Sequence, residues 1–391
     1  MVLDSLSVIT ICLIVSFLFA EVFYFLKFPR VLGQIMAGIF LGLPFFKFIF
    51  TPDSLIDISF LSELGIIFLL LLTGLKLNIT KFMKAKKTSM IIAFFGVLFP
   101  FVFGFLLMRL MGFSNLVGFV VGCCFSLTAE ATKSKVLFEL NALNSRVGVI
   151  MISAGVLDDF FEILFLSAII VISSGVTSEL LFIPIKLIVF VLVVYFFYKI
   201  FPFILKFLRK ENSKTSLFSY LIIFALVVSI ISTKLNLGST IGAFIAGIII
   251  HLSEHKKREY NDIVFEFEAL AFSFVVPFFF INIGLNFDIT SIFGNVLLFL
   301  LILFFATISK IIGVIITKPF VKDLSLKQLN LIGWGMNSRG AIELVIAGIA
   351  FKAGLIPSSI YSSVVLMALI TTMAFPIVFK YIISRDRTIM Y

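Results

Sequence analysis

Apolar stretches of about twenty residues follow one another along the chain from residue 7 to residue 383, divided by short polar breaks. Each is long enough, as a helix, to cross a hydrocarbon core of roughly 30 Å. Thirteen spans are expected, near 7–27, 31–46, 55–75, 88–110, 115–132, 147–172, 180–204, 216–233, 237–252, 263–285, 291–317, 326–351 and 358–383. The pattern predicts an all-α polytopic membrane protein. Connections between spans are too short to hold a soluble domain.

Composition agrees. Of 391 residues 61% are hydrophobic and 13% charged, against about 25% charged in soluble domains. The opening MVLDSLSVIT has no basic segment, so span 1 is expected to be a retained helix. A net charge of +10 invites nucleic acid as a partner, but the placement of the basic residues argues for topology instead. With the N-terminus outside, 24 Lys and Arg fall on the inner side, Lys133, Lys135 and Arg146 among them, and five fall outside. That is the positive-inside asymmetry of a multi-pass protein of the cytoplasmic membrane, with its C-terminus inside. Three cysteines, two of them adjacent (Cys123, Cys124), offer no disulfide framework or metal spacing, and no cofactor is expected.

Against this background a few polar residues sit deep within spans. They are Thr128 and Glu130 in span 5, Asp158, Asp159 and Glu162 in span 6, Lys310 in span 11, and Asn337, Arg339 and Glu343 in span 12. A charge at a bilayer centre costs roughly 2.5–3.5 kcal/mol on the insertion scale and marks function by default. Spans 5 and 12 are interrupted by weakly helical polar runs, FSLTAEATK and GMNSRGAIE. Divided as six spans, a linker and six spans, the chain places these breaks at the fifth position of each half. The odd linker inverts the second half relative to the first. Interrupted helices at matching positions of inverted repeats point to the midplane binding site of a secondary transporter, where freed backbone must line a polar cavity.

Several stretches now carry a family resemblance. FPRVLGQIMAGIFLGLP in span 2, LSELGIIFLLLLTGLKLN in span 3 and VVPFFFINIGLNFD in span 10 resemble stretches of the monovalent cation/proton antiporter superfamily. AGVLDDF is similar to the two-aspartate signature of its sodium/proton branch, the NhaA and NapA type, and Lys310 in ISKIIG matches that branch's lysine. The resemblance implies electrogenic exchange of Na+ or Li+ for H+, more than one proton per cation, by alternating access in a homodimer. It implies a dimerisation bundle (1–87 and 216–290), an ion-translocating core (88–172 and 291–391) and a linker helix (180–210). Kef-type potassium/proton relatives carry a nucleotide-binding domain after the last span, for which this chain leaves no room, and a Gln-Asp pair in place of Asp-Asp.

The chemistry is consistent with that. Sodium is a hard cation that takes oxygen ligands, and one carboxylate can hold a sodium ion or a proton, so competition couples the two flows. Adjacent helical residues point about 100° apart, so the aspartates serve different partners. By analogy with the family pair, Asp159, with Asp158 and Thr128, is assigned to the ion, and Asp158 to Lys310. Lys310 could instead extend inward to the headgroups. Glu130 is either a ligand or a counter-charge for exposed helix ends. Glu162 belongs to the outward ion path or pairs with Arg339, the second being preferred. Arg339 and Glu343 are read as a structural ion pair before ligands, and Asn337 as part of the same break. His251, Glu254 and His255 could form a cytoplasmic pH-sensing funnel, although a solvated loop face is the simpler account. An intramembrane aspartyl protease is disfavoured, because neighbours on one helix diverge and cannot share a proton. A potassium/proton exchanger of the same fold and a non-transporting receptor remain as alternatives.

Overall fold

The computed structural model describes residues 4–76, 87–129, 145–173, 214–235, 239–254 and 260–390, with single positions at 133, 136, 137, 140, 142, 192, 195, 196, 199 and 200. Regular structure among the described residues is helical throughout. The expected linker helix at 180–210 falls outside them apart from those scattered positions, as does Glu130. The other twelve expected spans each coincide with described helix.

One compact unit comprises Met1–Phe25, Gly33–Leu77 and Ile170–Leu285. It holds α1 (Ser5–Phe25), most of α2 (Arg30–Leu41), α3 (Pro52–Lys76), α7 (Lys214–Lys234), α8 (Ser239–Glu254) and α9 (Tyr260–Leu285). Lipid removes the hydrophobic drive between helices, so close packing depends on small residues. Gly74 of α3 and Gly247 of α8 show why: a methyl group on Gly74 would run into the Phe244 carbonyl, and one on Gly247 into the Leu71 carbonyl. Within α9, Pro277 lacks an N–H and would crowd the carbonyl four residues back. The helix absorbs this by widening into a π-turn over Ala271–Val275, closed by the Val276 N–H donating to the Ala271 carbonyl.

The second unit comprises Leu26–Leu32, Asn78–Ile169 and Asn286–Tyr391. It holds α4 (Lys87–Leu110), α5 (Asn115–Ser126), α6 (Arg146–Ser173, all but its last turn), α10 (Ile289–Gly294), α11 (Val296–Ile315), α12 (Leu326–Gly335), α13 (Ala341–Lys352) and α14 (Ser358–Arg385). Caps fix the helix starts. The Val117 N–H donates to Ser114 Oγ at 3.3 Å ahead of α5. Ser325 and Gln328 exchange reciprocal side-chain-to-backbone bonds of 2.9 and 3.2 Å ahead of α12. Ile150, Met151 and Ala154 of α6 pack with Ile332 of α12 and with Phe375 and Phe379 of α14 as the apolar core.

Exposure is inverted relative to a soluble protein. Phe17, Phe25, Phe60, Leu110 and Phe293 lie on the outside, while charges lie within. Among the described residues the buried charged side chains are Lys133, Asp158, Glu162, Lys310, Arg339 and Glu343. All six belong to the second unit. The chemistry is therefore to be sought there.

Candidate ion site at two crossing helix breaks

Helix α5 stops at Ser126, where Leu127 turns to extended backbone (φ −82°, ψ 156°). Ser126 helps to end it by donating its hydroxyl to the Gly122 carbonyl at 2.8 Å and the Val97 carbonyl at 3.0 Å, the local competition that makes serine a poor helix interior residue. Helix α12 stops at Gly335, and α13 begins after Gly340, which is extended. The two interruptions meet. The Ala129 N–H donates to the Ser338 carbonyl at 2.8 Å, Ser338 Oγ donates to the Ala129 carbonyl at 3.2 Å, and Thr128 Oγ1 donates to the Met336 carbonyl at 3.1 Å. Two broken helices are thus tied at their breaks by three hydrogen bonds.

A helix end leaves four carbonyls without intrahelical partners. At the end of α5 two cations take them. The Arg339 guanidinium donates to the carbonyls of Cys124 (3.3 Å), Phe125 and Leu127 (2.7 Å), and across to Ala306 of α11 at 3.1 Å. Lys310 of α11 donates to the Ser126 carbonyl. Arg339 is itself held by α14: its N–H donates to Thr372 Oγ1 at 3.1 Å and its carbonyl accepts from that hydroxyl at 3.0 Å. Arg339 is therefore chiefly a cap for α5, a role the sequence reading missed. Its contacts run to carbonyls and, through Nε, to Glu343 Oε2 at 4.0 Å; the preferred pairing with Glu162 is not the one they form. Glu343 lies in the first turn of α13, where a negative charge suits the positive helix end.

Lys310 Nζ stands 3.6 Å from Asp158 Oδ2, both side chains fully buried. The ammonium stays at this depth and does not extend to the headgroups. Asp158 occupies α6 one residue before Asp159; the side chain of Asp159 falls outside the described residues. Glu162, one turn on, is 5% exposed. Both Asp158 oxygens, Asn337 Oδ1 and both Glu343 oxygens are buried and accept no hydrogen bond among the described residues. Asn337 is oriented by its Nδ2, which donates to the Thr307 carbonyl at 3.1 Å. Buried oxygens left without donors are costly and are the groups a bare cation or a proton would satisfy. Among the described residues no three His, Cys, Asp or Glu side chains gather as a metal cage.

Lys133 corrects the charge tally. Counted as a cytoplasmic loop residue, it is fully buried, with Nζ 3.6 Å from Met336 Sδ. A signal was available: a break near the midplane must be followed by about ten residues before the chain reaches the surface, at 1.5 Å rise over half of roughly 30 Å. Lys133 comes too soon after Leu127 to be outside.

The histidine cluster belongs to the first unit. His251 Nδ1 lies 2.9 Å from the Leu75 carbonyl and 3.1 Å from Tyr260 Oη, and Tyr260 donates to the same carbonyl at 2.5 Å. His251 is thus joined to the end of α3, beside the Lys76–Glu268 ion pair at 2.5 Å. His255 and the side chain of Glu254 fall outside the described residues.

Buried charges at the tied ends of broken helices, inside an apolar exterior, define an ion-coupled membrane transporter. Comparison with known proteins then gives the family. Residues 9–384 match the model of the transmembrane sodium/hydrogen exchanger family. The chain is 30% identical over 361 residues to a Na+/H+ antiporter of Enterococcus hirae, covering 91% of this chain and 92% of that protein. It is 27% identical to the Na+/H+-K+ antiporter GerN of Bacillus cereus, covering 90% and 89%. The solved structure of the sodium proton antiporter MjNhaP1 from Methanocaldococcus jannaschii superposes with a TM-score of 0.69 at 16% identity, covering 97% and 96%, a likeness of fold. This chain belongs to the sodium/hydrogen exchanger family, within the monovalent cation/proton antiporter superfamily.

Proposed function

We propose that the protein exchanges Na+ or Li+ for H+ across the cytoplasmic membrane, as a two-aspartate exchanger of the NhaA/NapA type. The observation that carries this is the fully buried Lys310–Asp158 pair at the crossing, whose carboxylate oxygens accept no hydrogen bond among the described residues. Asp159 is the shared carrier. When it is ionised, a dehydrated cation binds it with help from Asp158 and the Thr128 hydroxyl oxygen; when a proton takes its place, Asp158 returns to Lys310. The described buried charges are three acids and three bases. An ionised Asp159 would take this described set to a net charge of minus one, which a single Na+ would offset. Desolvation favours proton loss from Lys310 once the ion draws Asp158 away, so a cycle moves two protons for one cation and responds to voltage. In this account the second unit is the ion-carrying core of two inverted repeats, the first unit supplies the dimerisation bundle, and the N-terminus is outside.

The test is proton movement in proteoliposomes on addition of Na+, Li+ or K+ separately. Na+ and Li+ are expected to collapse a preformed proton gradient and K+ is not. A response to K+ equal to or above that to Na+ would replace this reading with potassium/proton exchange, to which the name of the Bacillus cereus relative gives some weight. No response to any cation in folded protein would favour a receptor.

A further inference from the structure

Two neighbouring carbonyls of α11 are held by side chains of the α12–α13 break. Asn337 Nδ2 donates to the Thr307 carbonyl at 3.1 Å, and Arg339 to the Ala306 carbonyl at 3.1 Å. Successive residues of a helix lie about 100° apart around the axis and about 1.5 Å apart along it. A bond to one carbonyl constrains α11 at a point; bonds to both constrain its rotation and its slide. Lys310 follows Thr307 by three residues on this helix, nearly one turn further on and about 60° around. Its ammonium ends 3.6 Å from Asp158 Oδ2 and donates to the Ser126 carbonyl. The turn so held is the one that carries Lys310 to its partners.

Folding alone does not favour an asparagine at this place. Only the NH2 branch of the amide can bond a carbonyl, so Oδ1 lies on the other branch, buried and without a donor among the described residues. Leucine has the same branched outline and leaves no orphaned oxygen. The Asn337 side chain takes no part in the three bonds that tie the breaks, nor in the capping of α5 by Arg339. What it adds is the bond to α11. We propose that Asn337 is a positioning residue: it clamps α11 so that Lys310 is held to Asp158, and so secures the second proton of the cycle. The proposal rests on the exchange reading above.

The experiment places Asn337→Leu, which removes the donor, and Asn337→Gln, which keeps an amide, in the full-length wild type, and Asn337→Leu also in Lys310→Gln. Asn337→Ala is read in the same way if the Leu variant does not fold. In proteoliposomes Asn337→Leu is expected to lower sodium-driven proton flux about fivefold or more, in line with the coupling of residues that share partners, and to lose most of its response to a clamped potential. Asn337→Gln is expected to keep that response. In Lys310→Gln, where no ammonium is left to position, adding Asn337→Leu is expected to change flux and KM by less than about twofold. A wild-type voltage response in Asn337→Leu would overturn the proposal. Equal losses of flux in both backgrounds would also overturn it, since Asn337 would then act without Lys310, as a ligand through Oδ1 or as general support. If the wild type moves no protons with any cation, the exchange reading fails, and thermal midpoints of the same four proteins decide for the clamp. A shift from Asn337→Leu that vanishes in Lys310→Gln sustains it, and additive shifts overturn it.

Discussion

At the scale of single residues, Arg339 and Lys310 carry the most consequence. Arg339 is fixed by four carbonyls, and a lysine ammonium offers three donors where the guanidinium fork offers five. Arg339→Lys is expected to lower the thermal midpoint in detergent, and Arg339→Gln to cost about 3–5 kcal/mol, the usual result of removing one partner from a buried charged network. A shift within error for both would mean that α5 ends without needing its cap. On the proposed cycle Lys310→Gln removes the second proton, so transport is expected to continue at one proton per sodium and to ignore a valinomycin-clamped potential. A variant still driven by voltage would make Asp158 the second proton carrier. The pairing of Asp158 with Lys310 was legible in the sequence because two opposite charges deep in apolar runs are costly unless they meet. The partners of Arg339 were not: it donates to main-chain carbonyls, which every residue has and no sequence pattern distinguishes. Lys133 was misplaced for a different reason, the span having been ended where hydropathy fell and not where the membrane ends.

At the scale of elements, close approach and capping separate positions that look alike in sequence. Gly74→Ala is expected to cost about 1–3 kcal/mol or more through overpacking against α8, because a methyl there meets the Phe244 backbone. Gly348→Ala in α13 meets nothing within 4 Å and is expected to be neutral or to gain up to about 1 kcal/mol from helix propensity. Folded yield and thermal midpoint of the pair check this; equal losses would refute it. Asp288 caps α10 by accepting from the Thr290 N–H at 2.9 Å, the Thr290 hydroxyl at 2.6 Å and the Ser291 hydroxyl. These bonds, the Ser291 one foremost, hold its carboxyl below the ordinary carboxylate value. The group is depressed on folding, so its contribution is present above the unfolded value near 4 and is lost only as pH falls through the lower folded one. Asp288→Asn should therefore leave stability unchanged below that window and lower it slightly above. Both helix interruptions were legible in FSLTAEATK and GMNSRGAIE. The π-turn was not, although Pro277 was in view, because a proline inside a helix is accommodated in more than one way.

At the scale of the whole molecule, the described buried charge is confined to one of two compact units. Hydrogen–deuterium exchange should report this directly. Addition of Na+ is expected to slow exchange at 124–129, 158–162 and 336–343, and to leave α3 and α8 of the first unit as they were. Protection spread evenly over both units would contradict the assignment of ion binding to the crossing. The apolar runs made the helical membrane class plain from the outset, since no other fold uses so many of that length. Which helices gather into which unit depends on side-chain packing between distant segments, and that has no period along the chain. One feature of the crossing bears on the molecule as a barrier. Main-chain carbonyls from neighbouring positions, 124 to 127, with one more from Ala306, are the kind of oxygen lining through which potassium channels conduct. Here resident guanidinium and ammonium groups already occupy those oxygens. On the proposed exchange, a travelling cation would find them taken and would depend on the aspartates, which would release it in trade for a proton. Loss of Arg339 should then do more than loosen the fold: it should open an uncoupled leak, measurable as sodium current without proton countertransport.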